Sequence, residues 1–263
     1  MASSMSFDEQ AARQVEALYL TPDVAATRIA AFHALEPRPG ERIVDLGCGP
    51  GFMTRELALA VGDQGRVYGV DLSEPMRTLA RARCAGLSVV ELASGDMAAL
   101  DGLQDSSFDA AIALQSLEYV PEVGRAVSEM ARVLRPGGRA VVLDTDFDST
   151  VWHGRDQARV DRILTAYDAH VAHRGLPRVL GRLATEAGLM VVRREVVPIL
   201  DVSFHPNTYA HGIARFIRDF VVGSKRVSAE EADAWLEECV ALGQAGEFFM
   251  SLNRYLFILR KPD

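Results

Sequence analysis

The chain has 263 residues, 49% hydrophobic and 24% charged, with a formal net charge of −8. That length suits one large α/β domain with a sizeable core, and a mildly acidic chain without a basic run is a poor match for nucleic acid or an anionic membrane surface. Cys48, Cys84 and Cys239 are scattered and odd in number, no apolar run reaches membrane-span length, and the start, MASSMSFDEQ, lacks a leader pattern, so a cytoplasmic protein is expected.

A first helix is expected over Asp8–Leu20, and a second from Thr21–Pro22, read as N-cap and first helical residue, to Leu35. After a turn at Glu36–Glu41, strand and helix patterns alternate. They give a strand at Arg42–Leu46, a glycine loop, a helix at Thr54–Val61, a strand at Arg66–Val70 and a helix capped by Ser73 that runs through Arg83. Strands follow at Leu87–Leu92 and Phe108–Leu114. Val123, Val127, Met130 and Leu134 share one helical face; Arg135–Gly138 stops that helix, and Arg139–Leu143 is the next strand. Such alternation implies an α/β, Rossmann-like, doubly wound and mostly parallel sheet, whose ligands bind beyond the carboxyl ends of the strands.

The pattern loosens after Thr150. Helices are expected at Asp156–His173 and Arg178–Ala187, then a strand at Met190–Val197. One further helix carries Tyr209, Ile213, Phe216, Ile217 and Phe220 on one face. Another opens with the capping box Ser228–Glu231 and stops at Gly243. Phe248–Lys261 closes a seven-stranded sheet as an antiparallel last strand, and the helices before it read as a lid.

The stretch VDLGCGPGF, Val44–Phe52, places three alternating glycines after an apolar strand. A pyrophosphate wants backbone N–H donors and no nearby anion. Here Pro50 removes a donor, Asp45 adds a carboxylate, and Phe52 stands where a last glycine would be. Asp71, twenty residues after Gly51, ends the second strand, where a carboxylate suits a ribose diol. Asp96 follows the third strand and Asp144 ends the fifth. The pocket therefore suits a nucleoside joined to a cation, without phosphates.

From Glu36 to Asp146 the chain resembles the class I S-adenosylmethionine-dependent methyltransferases of small-molecule type, similar to the quinone-biosynthesis (methyltransferase type 11) group. VDLGCGPG resembles their first motif, GVDLS (Gly69–Ser73) the second, GDM (Gly95–Met97) the adenine-flanking motif, and Phe108–Val120 the fourth strand with its active-site loop. Glu129–Asp144 resembles the following helix, turn and strand. The resemblance implies S-adenosylmethionine as cofactor and S-adenosylhomocysteine as product. It implies that Gly47, Gly49 and Gly51 approach the methionine part, Asp45 organises donors near the ammonium, and Asp71 binds the ribose with Leu72 beside the adenine. Asp96 and Met97 then flank the adenine, Gln115 faces the methionine or sulfonium, and Tyr19 closes over the cofactor. It further implies a single domain: N-terminal helices 1–35, cofactor-binding core 36–146, cap segments 150–187 and 203–246, and closing strand 247–261.

The acceptor is less legible. Many small-molecule members of the family carry two histidines in the fourth-strand loop, where this chain has Glu118 and Tyr119. The segment Asp144–His153, read as a loop facing the substrate, concentrates Asp144, Asp146, Asp148, Trp152 and His153. Asp146, Glu118, His153 and Asp144 are the candidate catalytic groups; Tyr119, Trp152, Tyr209 and Arg254 are the candidate acceptor contacts. His170 and His173 read as a solvated helix face, with no metal expected. The expected activity is methylation of a small, partly apolar acceptor by a monomer or homodimer with no nucleic-acid partner. A non-methylating cofactor-binding protein and an NAD-dependent oxidoreductase are the alternatives, the latter opposed by Asp45, Pro50 and Phe52.

Overall fold

The computed structural model describes residues 8–263; the start of the chain, read above for a leader, falls largely on residues 1–7 and lies outside them. Two helices come first, α1 (Glu9–Tyr19), capped by the Asp8 side chain, and α2 (Pro22–Leu35), entered through Thr21. Thr21 sits at the N-cap, but its hydroxyl donates back to Leu18 O at 2.7 Å instead of capping α2. The alternating core follows as β1 (Arg42–Leu46), α3 (Phe52–Val61), β2 (Arg66–Asp71), α4 (Glu74–Arg83), β3 (Val90–Ser94), β4 (Phe108–Leu114) and α5 (Val123–Val133). Then come β5 (Leu134–Trp152), α6 (Gln157–Tyr167), α7 (Leu176–Glu186), β6 (Met190–Asp201), α8 (Tyr209–Gly223), α9 (Ala229–Ala245) and β7 (Met250–Arg260).

The seven strands form one sheet in the order β3-β2-β1-β4-β5-β7-β6, with β7 antiparallel to both of its neighbours. The apolar run of β1 is buried on both faces, as a central parallel strand requires. One face is covered by α2 and α3, through Leu35, Met53 and Leu57 against Ile43 and Ile112. The other is covered by α5 and α7, through Met130, Val127 and Leu180 against Val44 and Val142. So α7, grouped with the cap from sequence, belongs to the sheet.

The largest departure from the sequence reading is β5. Expected to end at Leu143 and give way to a loop, it pairs with β4 up to Leu143 and then continues along β7 to Trp152. Arg135–Gly138, expected as a turn, is also counted within β5. Three acids at alternate positions look like loop chemistry, yet Asp146 pairs with Arg178, and Asp148 with Arg174 and Arg178, within the fold. β6 likewise runs on to Asp201 along β7. The β5-β7-β6 ribbon thus extends past the carboxyl edge of the sheet. On it rests a third core, in which α6, α8 and α9 pack around Trp152, Tyr209, Trp235 and Met250. α9 runs through Gly243 and ends before Gly246, which takes the left-handed conformation that glycine tolerates best.

Candidate active site

The glycine loop is pinned under β2 and α4. The N–H groups of Gly47 and Cys48 both donate to Val70 O, at 2.8 and 3.0 Å. A Cβ on Gly47 would stand 2.4 Å from Ser116 Cβ, so only glycine lets β1 and the fourth-strand loop meet here. A Cβ on Gly51 would meet the Ala80 backbone of α4 at 2.8 Å. Gly51 therefore serves helix packing and lies off the cavity, contrary to its expected role toward the methionine part. Gly49 has open space on its Cβ side, and its N–H donates to Asp71 Oδ2 at 2.9 Å. Phe52 lies between the guanidinium groups of Arg83, 3.4 Å from its ring centroid, and Arg28, at 4.9 Å. Arg83 also donates to Pro50 O and pairs with Glu16 of α1, so one side chain ties loop, α4 and α1 together.

A cavity of about 1040 Å³ opens along this edge. Its walls include Gly47, Gly49, Asp71, Leu72, Asp96, Met97 and Gln115, together with Tyr19 of α1. Asp71 Oδ1 accepts from Ser73 N at 2.8 Å, so each of its oxygens holds one backbone N–H and keeps further lone pairs for a ligand. Asp96 spends Oδ1 on Ala98 N. Asp45 does not open into this cavity. It is buried, accepts from Thr54 Oγ1 at 2.6 Å, and lines an adjoining space of about 40 Å³ with Tyr19, Arg28, Gly47 and Gln115. That space has room for a water or so. Burial pushes the Asp45 carboxyl up to about 7.

Gln115 takes a positive φ of 49° while its N–H donates to Leu143 O at 2.7 Å. Strain of this kind at a strand end accompanies functional sites. Beyond it, Glu118 lies 1% exposed, yet on the cavity wall. Its Oε2 accepts from Thr145 N at 3.0 Å, and burial pushes its carboxyl up to about 7. Asp144 sits behind it, fully buried and off the cavity wall, with no close hydrogen bond to its carboxyl oxygens among the described residues. Burial and the neighbouring Glu118 push the Asp144 carboxyl well above its ordinary value. Arg254, expected from sequence near a substrate, is 1% exposed and lines the cavity. It donates to Thr27 Oγ1 at 3.0 Å and lies 5.0 Å from the Tyr209 ring centroid. Tyr119 and Tyr209 line the same space; burial raises both phenols, which stay protonated.

Three expected site residues lie elsewhere. Asp146 faces α7, where Arg178 grips it with Nε and Nη2, both at 3.0 Å. Trp152 is core, with Trp235 at 5.2 Å and Phe248 at 5.8 Å. His153 is exposed at the far end of β5, on a separate cleft beside Gln157 and Phe249. All three misplacements follow from reading a loop where β5 continues, since a strand sends alternate side chains to opposite faces.

In their place the structure brings Phe147, Tyr167 and His170 to the cavity. Between Asp146 and Val151 the ladder skips from Asn253 to Ser251, a bulge that frees Phe147 from the ladder. His170, read as part of a solvated face, is 2% exposed. Its Nδ1 meets Tyr167 O at 2.6 Å, its ring stacks on Tyr167 at 3.7 Å, and burial lowers its imidazole to about 4. The aromatic spacing Tyr167–His170 was the one available signal, because i, i+3 neighbours share a helix face.

Residues 44–142 match the family described as "Methyltransferase domain". Over 229 residues the chain is 37% identical to an uncharacterized 37.1 kDa protein in transposon TN4556 of Streptomyces fradiae, covering 86% of this chain and 64% of that one. It is 40% identical over 120 residues to the demethylmenaquinone methyltransferase of Desulfitobacterium hafniense, covering 44% and 47% of the two chains. The chain thus spans under two thirds of the one relative's length and about half of the other's. A solved phosphoethanolamine N-methyltransferase 2 of Haemonchus contortus, holding phosphomonomethylethanolamine and S-adenosylhomocysteine, shares the fold at TM-score 0.63 and 19% identity, over 98% of this chain and 59% of that one. The fold is a Rossmann-like sheet with Asp71 and Asp96 at its strand ends on one cavity. The chain carries a class I S-adenosylmethionine-dependent methyltransferase domain. Among the described residues, no helix is long and apolar enough to cross a membrane.

Proposed function

We propose that this chain methylates a small, partly apolar acceptor enclosed between the carboxyl edge of the sheet and α8. One observation carries the reading: a single cavity runs from Gly49, Asp71 and Asp96, past Gln115, to Glu118, Tyr119, Tyr209 and Arg254. At about 1040 Å³ it reaches the upper end of ligand pockets, roughly 300–1,000 Å³, leaving room for cofactor and acceptor together.

The donors and acceptors fit the cofactor. Asp71 keeps lone pairs for a ribose diol, Asp96 keeps Oδ2 for an exocyclic amine, and Leu72 and Met97 supply apolar contact to a base. Asp45 reaches the methionine end only through the small side space, consistent with a water between them. Bound S-adenosylmethionine supplies an electrophilic methyl on a sulfonium. The protein then has to hold the acceptor in line and exclude water, and alignment alone is worth about 7–11 kcal/mol. The buried tyrosines and Phe147 support exclusion of water. Glu118 is the group best suited to take a proton, because its carboxyl titrates near neutrality and lines the cavity. Asp144 acts behind it, as a positioning residue.

The test is turnover with methyl-labelled S-adenosylmethionine over a panel of small acceptors, alongside direct titration with S-adenosylhomocysteine. Labelled product is the expected result. Tight cofactor binding with no product and no S-adenosylhomocysteine across the panel would favour the non-methylating alternative.

A further inference from the structure

The acceptor end of the main cavity backs onto a second cavity of about 270 Å³, between the far part of β5 and α6. Phe147, Tyr167, Tyr209 and Ile213 line both spaces and form the partition between them. Beyond it, Thr150, Trp152, Asp161 and Leu164 are shared with a surface cleft of about 540 Å³ at His153 and Phe249. Three spaces thus lie in series from the glycine loop to the tip of the β5-β7-β6 ribbon. The second cavity has an apolar floor of Trp152, Leu164, Ile217 and Leu252, and its rim reaches solvent at Asp148, Asp161 and Thr165.

The members of the partition are not held alike. Tyr167 is stacked on His170 at 3.7 Å and meets Phe220 at 5.6 Å, while Tyr209 and Ile213 are buried residues of α8. Phe147 is half-buried and sits on the bulge, out of the β5–β7 ladder, with His170 edge-on to its ring at 4.8 Å. The bulge is held from outside. Phe147 N–H donates to Arg174 O at 2.9 Å, and the Arg174 side chain pairs with Asp148 on β5 and with Asp168 just past α6. Arg174 therefore joins the two walls of the second cavity. Its side chain is 47% exposed, and ion pairs that water reaches cost little to break.

On the cofactor side, the main cavity meets solvent at Leu72, 68% exposed, and under Gln14 and Ala17 of α1. A nucleoside held by Asp71 and Asp96 fills that opening, so an acceptor arriving second needs another path. We propose that the acceptor enters and leaves through the cleft between β5 and α6, with Phe147 as the moving leaf and Arg174 as its latch, while the cofactor exchanges on the α1 side. The proposal rests on reading the main cavity as a methyltransferase site. It adds that either ligand can exchange while the other stays bound.

The experiment obstructs one door at a time in the full chain. Thr165→Cys puts a thiol on the rim of the second cavity, and Ala17→Cys puts one on α1. Cys48, Cys84 and Cys239 are buried, so biphenylmethyl methanethiosulfonate attaches at the new thiol, and a reductant removes it. The acceptor probe is N-phenyl-1-naphthylamine, an uncharged fluorophore, mixed with chain saturated with S-adenosylhomocysteine. Labelled Thr165→Cys should slow probe entry and exit alike, by about tenfold or more, with its affinity unchanged, because an obstructed path alters rates and not the bound state. Association of S-adenosylhomocysteine should not change, which also reports that the labelled chain is folded, and reduction should restore probe exchange. Labelled Ala17→Cys should slow S-adenosylhomocysteine and leave the probe alone. Probe exchange unaffected by the label at position 165, or slowed by the label at position 17, would overturn the proposal. So would equal slowing of both ligands by one label, a fall in probe affinity in place of slowed exchange, or no probe binding once S-adenosylhomocysteine is bound. Failure of the unlabelled chain to bind S-adenosylhomocysteine would instead count against the methyltransferase reading.

Discussion

At the scale of single residues, carboxylates set the charge of this cavity, and they differ in what they have left to offer. Asp71 has one backbone donor on each oxygen and a clear line to the cavity. Asp71→Ala should weaken S-adenosylmethionine binding about tenfold or more, since hydrogen bonds to a charged group contribute roughly 1.5–3 kcal/mol. Unchanged affinity in a titration would remove Asp71 from the ribose site. Glu118 offers a pH signature. Burial pushes its carboxyl up to about 7, so it is protonated below that pH and an anion above it. A sulfonium nearby favours the anion; the neutral thioether of S-adenosylhomocysteine does not. The affinity of S-adenosylmethionine relative to S-adenosylhomocysteine should therefore rise from pH 6 to pH 8 and then level off. Glu118→Gln should flatten the curve. Asp45→Asn should leave it intact, although Asp45 also titrates near 7, because its side space lies toward the ammonium that both ligands share. A ratio independent of pH in the wild-type chain would place Glu118 away from the sulfonium.

At the scale of elements, the glycine loop and β5 separate what sequence shows from what it hides. The loop was legible because its residues serve one local turn, and strand, loop and helix fell within a few residues of expectation. Even there, Gly49 and Gly51 do different work. Gly49→Ala meets open space, so it should cost about 1–2 kcal/mol for its left-handed backbone and chiefly obstruct the cofactor. Gly51→Ala would drive a methyl into the Ala80 backbone and should lower the melting temperature before it touches binding. Thermal melts and S-adenosylhomocysteine titrations of the two variants would separate these effects, and identical behaviour would contradict the division. β5 was not legible past Leu143, because its continuation depends on β7, more than a hundred residues later, and on Arg178 of α7 for Asp146. Local patterning contains neither partner. The same distance effect hid His170, whose burial comes from Phe147, Tyr167 and Phe220. Asp146→Asn should therefore lower the melting temperature while leaving the kcat/KM of the folded protein near wild type. A selective loss of turnover would return Asp146 to the acceptor site.

At the scale of the molecule, two halves meet over the cavity, and α1 straps them together. Its Glu16 pairs with Arg83 of α4 on the cofactor side, and Leu18 packs on Gly212 of α8 on the cap side. Yet α1 has only one buried residue, Ala12, while Gln14, Val15, Ala17, Leu18 and Tyr19 border the cavity. A helix with so little core of its own sits at the low end of local stability, and much of what can order it is the ligand beneath. α9 is the contrasting case. It packs through Ala232, Trp235, Cys239 and Leu242 into the cap core and contributes nothing to the cavity wall. Amide hydrogen exchange should register the difference. With S-adenosylhomocysteine at a hundred times its Kd, exchange in α1 and the first turns of α8 should slow by up to about a hundredfold, the full linkage effect for a segment that opens only when the ligand leaves. Amides of α9 that open locally should exchange at the same rate with and without ligand. Equal slowing of α1 and α9 would mean that the ligand only raises global stability, and unchanged exchange in α1 would mean that the strap is closed before the cofactor arrives.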